Sequence, residues 1–214
     1  MDFEAVAAQL RHPKGEFGLK VAIKMNESNS FMNLSTIEKL NIQPYDHVME
    51  IGMGNGFFVK NILESNKTIK YTGCDYSSSM VLEATNLNQT FFENGRCEFL
   101  ECNSDALPFP DNFFDKILAV NTLYFCENPI KDIVEIMRVL KKDGTFSIAI
   151  RPKYIMENLP FTSYNFTLYN SVDLENLFKN AEVTNFSIDE IVEPDQEVNG
   201  QMMSMRILLA AIVK

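Results

Sequence analysis

Basic residues are scarce in this chain. Lys and Arg number 19 against 29 Asp and Glu, which gives a formal net charge of -10 and a sequence pI near 4.7. Binding a nucleic-acid backbone draws heavily on Lys and Arg, so no nucleic-acid partner is expected. Histidine is limited to His12 and His47, and the four cysteines, Cys74, Cys97, Cys102 and Cys126, form no C-x-x-C pair. A zinc site needs a denser set of nitrogen and sulfur ligands. The expectation is therefore no metal, with the cysteines as buried free thiols in a reducing compartment. No apolar run approaches the ~20 residues of a membrane span, and the start Met1-Asp2-Phe3-Glu4 has no basic-then-apolar leader character. A soluble, cytoplasmic protein with no membrane partner is expected. No Gly-Lys-Ser/Thr follows the glycine-rich stretch, which removes the P-loop reading.

What is present centres on Val48-Met49-Glu50-Ile51-Gly52-Met53-Gly54-Asn55-Gly56-Phe57-Phe58. Asp46 to Ile51 reads as a buried strand, the three glycines as a tight turn, and Phe57 to Glu64 as the opening of a helix. A strand, a glycine turn and a helix concentrate free backbone N–H groups and a positive helix end at one place. Glycine has no Cβ to keep a ligand from the backbone. The chain's 214 residues, 46% of them hydrophobic, suit one α/β domain with a sizeable core.

The other elements follow by periodicity and punctuation. Phe3 to Leu10 and Phe17 to Met25 read as helices separated by Arg11-His12-Pro13-Lys14-Gly15. Asn26, Asn29 and Asn33 recur at helical spacing and serve either as turn and cap residues or as an amide-lined cover over a polar ligand; Asn33 or Ser35 is placed to cap a helix from Leu34 to Leu40. Strands are expected over 69–74, 97–101, 116–120, 145–150, 183–192 and 202–213. Helices are expected from Ser77 to about Phe92, from Pro129 to Leu140, and from a Ser171 cap to Lys179. Asp75 ends the second strand 19 positions after Gly56, close to the ~20-residue offset of a ribose-binding carboxylate.

The spacing Glu50-x-Gly52-x-Gly54-x-Gly56 is not the dinucleotide G-x-G-x-x-G pattern. It resembles the first motif of class I S-adenosylmethionine (SAM) dependent methyltransferases. Gly73-Cys74-Asp75-Tyr76-Ser77-Ser78-Ser79-Met80 looks like that family's second motif, and Leu107-Pro108-Phe109-Pro110-Asp111 with Phe114-Asp115 is similar to a third. The Asn121-Thr122-Leu123-Tyr124-Phe125 stretch falls where the family's methyl-transfer loop lies. The resemblance implies a seven-stranded, mostly parallel Rossmann-like sheet with helices on both faces and an antiparallel last strand. It implies a single domain, with residues 1–42 as an N-terminal helical cap and 43–214 as the catalytic core.

For the cofactor, the resemblance implies Glu50 at the methionine end with Gly52, Met53, Gly54 and Gly56. Asp75 falls at the ribose, with Tyr76 and Met80 around the adenosine and Asn121 beside the transferred methyl. Where the family carries an acid and a small residue for adenine, this chain has Asn103 and Ser104, a departure in which the Asn oxygen still accepts from an amino group. Substrate candidates are Asn29, Tyr124 and Arg151, the last facing an anionic substrate or standing as an exposed structural arginine. His12 and Tyr124 are the candidates for a general base, should one be needed.

The loop after the fourth strand narrows the acceptor. It has neither the Asn/Asp-Pro-Pro-Tyr of amide methyltransferases nor the Pro-Cys of cytosine carbon-5 enzymes. A small-molecule acceptor is the expectation, with SAM as donor, S-adenosylhomocysteine (SAH) as product, and a monomer or homodimer as the assembly. The alternatives are a protein or RNA methyltransferase acting with a partner, and a SAM-binding subunit without turnover.

Overall fold

In β1 (His47–Ile51) every residue after His47 is buried, because the strand lies at the middle of a sheet covered on both faces. The computed structural model describes residues 2–198 and 201–214. Its three leading helices are α1 (Phe3–Arg11), α2 (Gly15–Ser28) and α3 (Ser30–Lys39). After β1 come α4 (Val59–Leu63), β2 (Lys70–Asp75), α5 (Ser78–Leu87), α6 (Gln89–Glu93), β3 (Cys97–Glu101), β4 (Phe114–Val120), α7 (Pro129–Val139) and β5 (Leu140–Ile150). The chain ends through α8 (Lys153–Met156), α9 (Ser171–Asn180), β6 (Phe186–Val192), the short pair β7 (Gln196–Val198) and β8 (Gln201–Met203), and β9 (Arg206–Val213).

Seven strands form one sheet in the order β3-β2-β1-β4-β5-β9-β6, with β9 antiparallel to both neighbours and the other pairings parallel. This is the Rossmann-like arrangement the motifs imply. The chain winds outward from β1 to β3 and then returns to β4 on the other side of β1. The order therefore reverses between β1 and β4, and a crevice opens at their carboxyl ends. One face of β1 gives Val48 to a core shared with Val59, Ile62 and Ala84 of α4 and α5. The other gives Met49 and Ile51 to a core with Ile133 and Ile136 of α7 and Leu174 and Phe178 of α9.

Several expected boundaries move, each for a local reason. The glycine turn runs longer than expected because Gly52, Gly54 and Gly56 all hold positive φ, and α4 starts only at Val59. The helix expected to reach Phe92 breaks at Asn88, whose side chain donates to the carbonyls of Gly56 (2.9 Å) and Ala84 (3.0 Å). α3 begins at Ser30, so Asn33 and Ser35 lie inside it; Asn33 donates back to the Asn29 carbonyl at 2.9 Å rather than capping. Asn170, not Ser171, caps α9, in a reciprocal box with Asp173. The expected turn at Lys142–Gly144 is an irregularity within β5, where Asp143 takes a φ of 64°. The sixth and last strands start at Phe186 and Arg206, later than 183 and 202, and the β7–β8 pair fills part of the connection.

The free-thiol expectation needs correction. Cys74 and Cys102 form a disulfide, with Cα atoms 5.9 Å apart, within the range that geometry requires. No sequence motif marks it. β2 and β3 pair in parallel and carry Cys74 and Cys102 to the same end of the sheet. Cys97 and Cys126 are free.

Candidate active site

The carboxyl ends of β1, β2, β4 and β5 open into a cavity of ≈ 1070 Å³, at the top of the ~300–1,000 Å³ range of small-molecule sites. The glycine turn is its floor. Gly52 holds φ +70°, and a Cβ there would meet Thr122 Cγ2 at 2.2 Å. Gly56 holds φ +69°, with Ala84 Cβ and Asn88 Nδ2 both 2.9 Å from its missing Cβ. These two glycines are required by packing against the protein itself. Gly54 differs: its φ is +57°, but a Cβ would meet nothing within 4 Å. Its open side faces the cavity, as a backbone cradle for a ligand requires.

Asp75 ties this floor to the next strand. Its two oxygens accept from the Gly54 N–H and the Ser77 N–H, each at 2.9 Å. A carboxylate oxygen has a second lone pair, so both can accept one bond more. Asn55, between the glycines, is buried, and its Oδ1 has no hydrogen-bond partner. A buried unpartnered acceptor at a cavity wall marks a place where a ligand donor completes the count.

Glu50 lies buried in the cavity lining and accepts from the Tyr71 hydroxyl at 2.7 Å. Burial pushes its carboxyl up to about 7 from the ordinary 4.5; the Tyr71 bond pulls the other way and the nearby Asp75 charge adds to the rise. Asp75 is also raised, by burial first, against the opposing backbone bonds. Between pH 4.5 and about 7 the folded chain keeps a proton on Glu50 that the unfolded chain has released. Stability therefore falls as pH rises through that window and is flat with respect to Glu50 above it, a change of about 3 kcal/mol. Urea unfolding at pH 5 and pH 8 is expected to show this loss, and Glu50→Gln is expected to remove most of the difference. An equal slope in both proteins would contradict it.

The remaining sequence-derived residues fall into three groups. Met53, Tyr76, Asn103, Ser104, Asn121 and Asn29 line the same cavity as Glu50, Gly52, Gly54 and Asp75, whereas Gly56, expected at the cofactor, lies outside the lining and packs against Ala84 and Asn88. Asn103 is exposed at its edge, while Ser104 donates its hydroxyl to Asp132 of α7. Asn121 holds a φ of 57° and accepts from the Tyr124 hydroxyl at 3.1 Å. Asn26 and Asn33 join Asn29 in the lining, so the helical spacing of these amides does carry them to one wall.

Tyr124 and Arg151 reach the cavity with their polar atoms already committed. The Tyr124 hydroxyl accepts from the Arg151 N–H at 2.6 Å, and burial raises its pKa, holding the phenol protonated. The Arg151 guanidinium pairs with Glu193 at 2.6 Å and donates to the Ser28 carbonyl at 3.0 Å. It is buried, against the reading of an exposed structural arginine. His12 and Met80 lie outside the lining. His12 ends α1 with its ring edge-on to Tyr76, centroids 4.6 Å apart, and burial followed by the Lys14 charge lowers its pKa. Met80 is packed in the interior.

Some features of the site had no sequence signal. Asp132, buried at the start of α7, closes the pocket beside Ser104. Arg11 of α1 reaches Glu127 in the loop after β4 at 3.1 Å, across the cavity mouth. The aromatic-rich stretch 152–169, which the sequence offers as either part of a substrate-pocket wall or a packed connection, divides: Phe161 and Phe166 line the cavity, whereas Tyr154 turns away to Glu190. Among the described residues no three metal-ligating side chains cluster, and no helix is long and apolar enough to cross a membrane.

Comparison with known proteins adds to this geometry. The methyltransferase domain family matches residues 49–148. The uncharacterized methyltransferase YdaC of Bacillus subtilis is 27% identical over 129 residues, 60% of this chain and 69% of that one. The ubiquinone/menaquinone biosynthesis C-methyltransferase UbiE of Cronobacter sakazakii is 27% identical over 199 residues, 86% of this chain and 78% of that one. The match spans only 32% of the cycloartenol-C-24-methyltransferase 1 of rice. A chain in the solved complex of the Haloferax volcanii Trm112 methyltransferase activator superposes with a TM-score of 0.78 at 21% identity, over 90% of this chain and 92% of that one.

Proposed function

We propose that this chain, whose residues 49–148 match the methyltransferase domain family, is a SAM-dependent methyltransferase that moves the methyl group of SAM to a small-molecule acceptor held in the same cavity. The observation that carries this reading is the continuity of that cavity from the glycine floor to the Phe161–Phe166 wall. It offers room for a donor and an acceptor together under α1 and α2.

The residues fit the cofactor. SAM carries a cationic sulfonium, an ammonium and a carboxylate, and the cavity offers the buried carboxyl groups of Glu50 and Asp132 and the half-buried one of Asp75. Glu50 would take the ammonium, whose charge would draw its pKa back down. Asp75 would accept the two ribose hydroxyls, and Asn55 Oδ1 would gain the donor it is missing. Asn103 and the Ser104 N–H would take the adenine edge, with Ser104 held in place by Asp132. SAM supplies an activated methyl, so the chain's task is to align the acceptor in line with it. Alignment alone is worth ~7–11 kcal/mol of the barrier. We assign no general base: the Tyr124 phenol is held protonated and His12 lies outside the lining, so a proton on the acceptor would leave to water or be absent from the start.

A second reading is favoured by one observation, the superposition on a chain from a complex with a methyltransferase activator. On it, this chain would act on protein or RNA with a partner subunit. Incubation of the purified chain with SAM and a panel of small acceptors, with mass detection of SAH and methylated product, separates the two. Product from a small acceptor without any partner is expected. Turnover only on protein or RNA, and only with an added partner, would overturn the proposal.

A further inference from the structure

Every cation lining the cavity is already matched by a carboxylate. Arg11 pairs with Glu127 at 3.1 Å, Lys24 with Glu27 at 3.0 Å, Lys131 with Asp105 at 2.8 Å, and Arg151 with Glu193 at 2.6 Å. The lining carboxyl groups of Glu50, Asp75 and Asp132 have no ion-pair partner among the described residues. The lining is therefore rich in carboxyl groups and holds no unmatched cation among the described residues before any ligand enters. That suits a cationic donor and opposes an anionic acceptor, which would be desolvated with no unmatched cation among the described lining residues to receive it. Arg151 is the test of this point. Among the described residues it is the one buried guanidinium at the cavity, and Glu193 accepts from both of its terminal nitrogens, at 2.6 and 3.3 Å.

Part of the cavity lining is a cluster of aromatic rings. Phe125 and Phe166 lie with ring centroids 4.7 Å apart, and the Phe161 and Tyr124 rings each lie 5.8 Å from Phe166. Met25 of α2 and Met156 of α8 also line the cavity. Four aromatic rings with flexible, polarisable methionines make a surface for a flat or ring-bearing apolar body.

We propose that the methyl acceptor is an uncharged, ring-bearing apolar molecule lying against Phe125, Phe161 and Phe166, and that carboxylate- or phosphate-bearing acceptors are excluded because Glu193 neutralises Arg151. This inference rests on the methyltransferase reading and names its substrate class. It replaces the anionic substrate that Arg151 suggests in the sequence.

The test uses the whole chain loaded with SAH, titrated calorimetrically with 2-naphthol and with 2-naphthoate. The two share a ring system and differ in charge at neutral pH. The neutral ligand is expected to bind at least tenfold more tightly than the carboxylate. Phe166→Ala is expected to weaken 2-naphthol at least tenfold while SAH affinity stays within twofold; should that variant fail to fold, Phe161→Leu takes its place with a smaller loss in the same direction. Equal or tighter binding of 2-naphthoate, no binding of 2-naphthol to the SAH-loaded chain, or indifference to the wall substitutions would overturn the proposal. The loading step separates the two readings: absence of SAH binding would bring down the methyltransferase reading and this inference with it, whereas SAH binding without the naphthol preference would bring down this inference alone.

Discussion

Asp75→Ala is expected to weaken SAM binding at least a hundredfold. Asp75 stands at the carboxyl end of β2, beside the point where the strand order reverses. Its carboxylate already fixes the Gly54 and Ser77 N–H groups, each at 2.9 Å. Two further bonds to ribose hydroxyls, each charge-assisted and worth ~1.5–3 kcal/mol, make the loss two orders of magnitude or more. The substitution also frees Gly54 from its anchor, so the cradle loses order as well as an acceptor. Asp75→Asn keeps one accepting oxygen but turns an amide donor toward a backbone N–H, and is expected to fall between the wild type and Ala. Calorimetric Kd values for SAM across the three proteins check this. An affinity for Asp75→Ala within threefold of wild type would show that the carboxylate touches no cofactor.

The second large effect is on stability. Arg151 and Glu193 form a buried pair, with side chains 6% and 0% exposed. Arg151 follows β5, Glu193 follows β6, and the Arg151 bond to the Ser28 carbonyl carries the link into α2. Breaking a buried pair leaves a charge without compensation and costs about 3–5 kcal/mol. That is a large share of the ~5–15 kcal/mol by which domains are stable. Glu193→Gln alone is expected to lower the unfolding free energy in urea by that amount. The double substitution Arg151→Met with Glu193→Leu is expected to recover most of it, because an apolar replacement buries no charge. A single substitution costing less than about 1 kcal/mol, the level of an exposed pair, would mean that water reaches the site.

Local signals made most of this fold legible in the sequence. The glycines at 52, 54 and 56 hold positive φ, a demand that one residue type meets well. Asp75 was placed by its distance from that turn, and the strands by apolar runs. What escaped depends on neighbours distant in the chain. Nothing near Asn88 says that its amide will reach the Gly56 carbonyl 32 residues away. Nothing near Cys74 says that Cys102 will share its sheet end. The same holds within the cavity. Arg151 reads as a substrate cation until Glu193, 42 residues on, is seen to hold it. Tyr124 reads as a base or donor until its hydroxyl is seen to accept the Arg151 N–H. Residue types at the site were readable from the chain; whether each side chain is free for a ligand was settled by tertiary pairing.

Calorimetric titration of the purified chain with SAM and with SAH tests the central claim most directly. Saturable binding of both, at one site per chain, is the predicted result. No heat from either at millimolar concentration, in a chain shown to be folded, would contradict the account.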